Sequence, residues 1–460
     1  MSTENTLKTE AHSNSSPALD TTPVKKIPEE ILEQIFSIVA LHPPVSSWHD
    51  SRYKETLAVM LVCRRWHRIA EPLLYRRIKF GQSETSDPLI SLQDGRRLLQ
   101  SLKRKPYLSN YIRDVTIGSS FRYGHNESTG LYEVSDVFNE LVPEILRYCN
   151  ETVVLWICEL SSASSVLEAI KKLPLKSLSI QRVNYSLFSD VFFNWLVSLR
   201  SLEELHIGTW RKHSSLPLNS LPTSLRGQSN IKIFKLDETN TCPTFTESCL
   251  ALPAALEEVS LRGLRWSRSD WHYSTDEIQA LLVLHRDSLR RIRVSYLDTS
   301  GLLPTFAIFP RLEQLFLCAY QVFGKEKPTE LYLKLCAPNL KLLILHVDAE
   351  VTHSLDSESF SETEVEWLEQ FASAHSQTLL AKKFCELHVI FFPVVECSKD
   401  LSWPWDRLDR AAEIVSKHGI KLTYSEPTSR EEWAKQVAEQ VANNSEHIEQ
   451  LEEREMYYLI

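Results

Sequence analysis

The sequence predicts an α/β solenoid in which parallel strands stack one per repeat and helices line the outer side, a parallel-stranded horseshoe. Three observations predict it. An apolar-x-x-apolar-x-apolar template recurs from residue 112 onward. Its closing positions alternate as a half-buried strand requires, whereas on a helix residues two apart would lie on different faces. Helix signals fill many of the intervals, and a strand that cannot bury itself alone is buried by stacking on its neighbours. Glycine is also scarce, 11 in 460 residues, about a third of the usual ~7%. Nucleotide-binding α/β sheets need glycine where backbone approaches phosphate, so the composition leans away from them.

In chain order, residues 1–24 hold nine Ser/Thr and no aromatic residue, a composition that predicts a disordered leader without a signal peptide. Residues 25–80 carry two helical patterns. Pro28 opens the first, with Ile31, Leu32, Ile35, Phe36 and Val39 on one face. The second spans about Glu55 to Ala70, with Leu57, Leu61, Val62, Trp66 and Ile69 inward and Pro72 as its end. So small a unit rarely completes its own core, so its apolar face must be covered by the following domain or by a partner.

Residues 81–425 contain the repeats. The templates start at Ile112, Thr152, Leu175, Leu202, Ile231, Leu256, Leu289, Leu312, Leu340 and Phe384, with a closing strand at Ile420/Leu422/Tyr424. Successive starts lie 40, 23, 27, 29, 25, 33, 23, 28 and 44 residues apart. Helices are predicted over 137–149, 166–172, 188–196 and 408–418, the last ended by Gly419. Capping boxes at Ser274–Glu277 and Ser361–Glu364 open two more. Residues 426–460 form a charged C-terminal helix that either caps the open end of the stack or serves as an acidic partner-binding tail.

The net charge of −9 divides unevenly, because residues 61–113 hold twelve Lys/Arg against four Asp/Glu. An acidic whole with one basic segment argues against global nucleic-acid binding. The arginines of that segment, among them Arg64, Arg65 and Arg68, read as a solvated helix face or as a grip on phosphate. The nine cysteines are scattered without a Cys-x-x-Cys pair, which predicts a reduced, intracellular protein and no zinc site. No run of ~18 apolar residues suits a membrane span. Walker, Gly-x-Ser-x-Gly and His-Glu-x-x-His motifs are missing, so the chain reads as non-catalytic.

Ile27-Pro28-Glu29-Glu30-Ile31-Leu32-Glu33-Gln34-Ile35-Phe36, followed by Val62-Cys63-Arg64-Arg65-Trp66-His67-Arg68-Ile69-Ala70, resembles the F-box. The downstream units resemble leucine-rich repeats, so the whole looks like a fungal-type F-box/leucine-rich-repeat receptor. Two departures stand out. The loop of residues 40–56 is long, and the family's asparagine after the strand is replaced by Val183, Trp210, Leu264, Leu297 and Tyr320. An irregular solenoid is therefore expected.

The resemblance implies a substrate receptor of a Skp–cullin–F-box ubiquitin ligase, with a Skp-family adaptor and through it a cullin as partners. It implies a protein target, no cofactor, and a cytoplasmic or nuclear location. Pro28, Ile31, Leu32, Ile35, Leu57, Val62, Cys63 and Trp66 then read as adaptor contacts, with the internal core of a helical hairpin as the alternative. Trp156, His206, Lys235, Arg291, Arg293, Gln314 and Phe316 fall between apolar anchors and read as target-binding or as solvated sheet decoration. Trp266, Arg268 and Trp271 have the composition of a binding hot spot or of a tucked loop. The rival to the ligase reading is a plain repeat scaffold whose N-terminal helices cap the solenoid.

Overall fold

The structure is a computed structural model that describes residues 27–41, 51–80, 88–118, 136–157, 164–181, 190–208, 221–237, 243–262, 275–295, 303–323, 326–347, 360–378, 383–391, 405–424 and 435. The chain divides into two compact units, Met1–Arg77 and Ile78–Ile460. The hot-spot loop of Trp266, Arg268 and Trp271, the residues 183, 210, 264 and 297, and the leader lie outside the described residues, as does the tail apart from residue 435.

In the first unit, α1 (Glu29–Leu41), α2 (Ser51–Val62) and α3 (Arg64–Arg76) surround a small core of Leu32, Phe36, Met60, Ile69 and Ala70. Leu32 and Phe36 are four apart and share the inner stripe of α1. Trp66 meets Phe36 edge-on at 5.0 Å. The continuous second helix expected up to Pro72 is instead two helices. Cys63 is extended (φ −162, ψ 168), and its Sγ accepts the Trp66 N–H at 3.5 Å as an N-cap. The second of these helices, α3, runs through Pro72, because Leu73 and Leu74 beyond it pack on the same core. Arg65 donates to the Ile27 carbonyl at 2.5 Å and, with Arg68, pairs with Glu29. These two arginines thus tie α3 to the start of α1.

The second unit contains one sheet of twelve strands in strict chain order. They are β1 (Arg77–Phe80), β2 (Asp114–Ile117), β3 (Val154–Ile157), β4 (Ser177–Ile180), β5 (Glu204–Gly208), β6 (Ile233–Asp237), β7 (Glu258–Arg262), β8 (Arg291–Ser295), β9 (Gln314–Cys318), β10 (Leu342–Val347), β11 (Glu386–Phe391) and β12 (Lys421–Tyr424). From β2 to β12 every pairing is parallel. The connections hold α4 (Pro88–Arg104), α5 (Asp136–Leu146), α6 (Ser164–Lys171), α7 (Asp190–Ser198), α8 (Pro243–Ala251), α9 (Thr275–Val283), α10 (Ala319–Val322), α11 (Pro328–Leu335), α12 (Glu362–Gln377) and α13 (Trp405–Ser416). The capping box of Ser361 and Glu364 opens α12, and Gly419 at φ +81 follows α13, as the sequence predicts. Strand β1 carries no template and was not foreseen.

The leading residue of every template, from Ile112 to Ile420, is at most 2% exposed. Full burial of such a side chain is worth about 1.5–3 kcal/mol. The residue after that anchor provides the inter-repeat lock. One carbonyl accepts the N–H groups of two consecutive residues in the next repeat, as Glu203 O does from Lys232 at 2.7 Å and Ile233 at 3.0 Å. The same doubled bond recurs at Arg113, Val153, Lys176, Lys232, Glu257, Arg290, Glu313 and Lys341. In place of an asparagine after the strand, Asn230, Ser288 and Asn339 lie just before an anchor. Each donates to a carbonyl of the preceding repeat, at 2.8, 2.6 and 2.5 Å.

His285 staples α9 to its neighbours. Its Nδ1 accepts the Leu256 N–H at 3.3 Å while Nε2 meets the Leu250 carbonyl at 2.6 Å. Burial lowers its pKa below the usual value, and the bond to Leu250 only partly offsets this.

Two outcomes follow from this packing. Phe234→Ala, at a fully buried anchor-row position, should cost about 3–5 kcal/mol in chemical denaturation. Below pH ~6.5 the unfolded chain protonates its histidines before His285 does. The staple's stability is therefore complete above that pH and is lost as the pH falls toward the lowered folded value. His285→Gln should flatten this acid limb in melting-temperature scans.

Candidate functional site

Two surfaces carry the chemistry, one on each unit. On the helical unit, Ile31, Ile35 and Ile38 form an outward stripe of α1, opposite the inner stripe of Leu32 and Phe36. The α2 residues Leu57, Leu61 and Val62 are also exposed, Leu61 by 85%. Among the described residues, these six make up half of the twelve exposed large hydrophobic side chains, yet all six fall between residues 31 and 62. Of the sequence-derived set, Pro28, Ile31, Ile35, Leu57, Val62 and Cys63 are exposed and Trp66 is half-buried. Leu32 is corrected: at 2% exposure it belongs to the unit's own core. Adjacent residues on a helix point about 100° apart, so Ile31 and Leu32 cannot share a role.

On the open face of the sheet, parallel register aligns Thr116, Trp156, Ser179, His206, Lys235, Ser260, Arg293, Phe316, Ile344, His388 and Thr423 in one row. The sequence-derived Trp156, His206, Lys235, Arg293 and Phe316 all fall in this row. Arg291 and Gln314 pair with each other two positions earlier. Two of these cations are already neutralised, Lys235 by Glu204 at 2.6 Å and Arg291 by Glu258 at 3.0 Å. Burial acts to raise the Glu204 carboxyl, but the hydrogen bond and charge of Lys235, with Ser177 and His206, together outweigh it and hold it below the usual range.

A relay crosses three strands at the middle of the sheet. Ser179 Oγ lies 3.2 Å from His206 Nδ1, and His206 Nε2 lies 2.7 Å from Asp237 Oδ2. Burial pushes the Asp237 carboxyl up, yet His206, Arg262 and Arg293 together bring it below the usual carboxylate range. Gln181 Nε2 donates to Ser179 Oγ at 3.4 Å, in space left by the missing Cβ of Gly208. Asp237 also faces Arg262, 4.0 Å away, and feels the charge of Arg293. The Arg293 guanidinium lies 5.7 Å over the Phe316 ring. Burial and the like charge of Arg262 lower its pKa. Nearby His346 is lowered to about 4, by burial first and then by Arg293, Arg262 and His388.

Sequence reasoning missed Ser179, Asp237, Arg262, His346 and His388. Their template positions were available as a signal, because each sits on the same face as a residue that was singled out. The thiols of Cys149, Cys249 and Cys336 are buried, and burial raises them all, Cys149 to about 12. Such thiols act as apolar filling. Among the described residues, no group of three or more His, Cys, Asp or Glu is arranged to hold a metal ion, and no helix is long and apolar enough to cross a membrane.

Comparison with known families agrees with the N-terminal part of this layout. A family model described as F-box-like matches residues 24–81. No curated protein matches the chain. Among solved structures, the chain is similar to the leucine-rich repeat-containing protein LegL7 from Legionella pneumophila. That match has 14% identity over 74% of this chain and 98% of that one, with a TM-score of 0.38. The layout rests on the chain's own register and anchors together with the family match: an F-box-like domain followed by a leucine-rich-repeat solenoid.

Proposed function

We propose that this chain is the substrate-recognition subunit of a Skp–cullin–F-box ubiquitin ligase. F-box domains generally bind Skp-type adaptors, and the observation that carries the reading is the double apolar stripe left open on the F-box-like domain. Complete burial of one Leu or Ile is worth about 1.5–3 kcal/mol. Covering these partly exposed side chains is the apolar gain that would offset part of the cost of association. The solenoid's open face would hold the target. Ubiquitin transfer would take place on other subunits, and this chain would act by raising the local concentration of target lysines near the thioester. The role needs no cofactor, nucleic acid or membrane, and it suits the cytoplasm or nucleus.

The scaffold alternative requires the stripes to be covered within the chain, which their exposure disfavours.

The test is capture of a Skp-family adaptor co-expressed with the full chain. Leu61→Asp combined with Ile35→Asp should abolish capture while leaving the melting temperature within about 2 °C, since exposed substitutions usually change stability by less than ~0.5 kcal/mol. Failure of the intact chain to capture the adaptor would sink the adaptor reading, and unchanged capture by the double variant would sink the assignment of the two stripes as its surface. Leu32→Ala should instead loosen the helical unit itself, by about 2–5 kcal/mol.

A further inference from the structure

The open face of the sheet holds one guanidinium that its surroundings do not satisfy. Arg293 is half-buried in the middle of β8 and carries five N–H donors. Among the described residues it makes no hydrogen bond and no ion pair, and its one close partner is the face of Phe316. The neighbouring basic residues differ. Lys235 and Arg291 each have a carboxylate of their own. Asp237, whose charge acts on Arg293, is already engaged by His206 at 2.7 Å and faces Arg262 at 4.0 Å.

The charge arithmetic at this point is simple. Arg262 and Arg293 bring two positive charges and Asp237 one negative, so one positive charge is left over. Leaving a half-buried guanidinium unpaired is costly, and a bidentate carboxylate is the partner its fork fits best. The surplus of one matches a monoanion and falls short of a phosphate dianion. Phe316 beside the guanidinium offers apolar contact to the stem of an incoming side chain.

We infer that Arg293, backed by Arg262 and Phe316, is the anchor for a glutamate or aspartate side chain of an acidic segment in a partner protein. The relay from Ser179 through His206 holds Asp237 in place, so that Arg262 and Arg293 are kept apart and face outward together. This deepens the receptor reading by naming the chemistry of its target, and it rests on that reading for the identity of the partner as a target.

The test uses the full chain, expressed with a Skp-family adaptor and also alone, and fluorescence anisotropy of a labelled hexaglutamate peptide. Hexaglutamine and a peptide of six phosphoserines serve as comparison probes. Hexaglutamate should bind at least tenfold more tightly than hexaglutamine. Arg293→Gln should lose at least tenfold of that binding, while Arg291→Gln, whose charge is already paired, should change it less than twofold. Melting temperatures of both variants check that the solenoid is intact, and Arg293→Lys separates charge from fork geometry, with partial binding expected. Equal binding of hexaglutamate and hexaglutamine overturns the inference. So does equal loss in the two arginine variants, which would mean bulk charge, or a tenfold preference for phosphoserine. Adaptor capture is read in the same samples, so a failure of the ligase reading appears as lost capture with peptide binding unchanged.

Discussion

The solenoid depends on one backbone interaction, a carbonyl just after each leading anchor that accepts two successive N–H groups from the following repeat. A single acceptor shared by two donors fixes both the position and the direction of the incoming strand. With the anchor buried one residue earlier, the next strand has no freedom to slip. Register is then inherited from repeat to repeat. This is why side chains 27 to 31 residues apart, such as Ser179, His206 and Asp237, arrive within hydrogen-bond distance. The row of side chains on the open face is thus a product of the lock, because no local segment could assemble it alone.

The helical unit obeys the opposite logic. Its core of five buried residues is small, and it is held together at its edge by Arg65 and Arg68 closing on Glu29 and the Ile27 carbonyl. These contacts satisfy the unit's polar groups while leaving two apolar stripes facing outward. A domain of this size has more apolar surface than it can enclose, and here the surplus is gathered on neighbouring helices. Concentrated exposure of that kind is uncommon on the surface of a lone folded unit.

Much of this was legible in the sequence. Leu205 and Ile207, and their equivalents in each repeat, announce their strands because burial on one face forces an alternation that chance does not repeat. The helical capping box at Ser361 was equally plain, since its two partners lie three residues apart. Other features were not legible for a definable reason. The break at Cys63 depends on a thiol acting as a cap, which composition does not advertise. Leu32 and Ile31 look interchangeable until the third helix decides which one faces inward. Asp237 and Arg262 end their strands, and only register across strands reveals that they share a site with Arg293.

The spacing of the repeats has a consequence for how such a chain changes over generations. Since the lock lies between the anchor and the strand, the 23- to 44-residue variation in repeat length is confined to the path that leaves the strand and returns. The outward row is largely independent of the anchors, because most of its side chains are partly exposed and lie on the opposite face of the sheet. The outward face can therefore be rewritten, one residue or one loop at a time, without renegotiating the fold. That face is free to diversify, while the scaffold beneath it is nearly frozen.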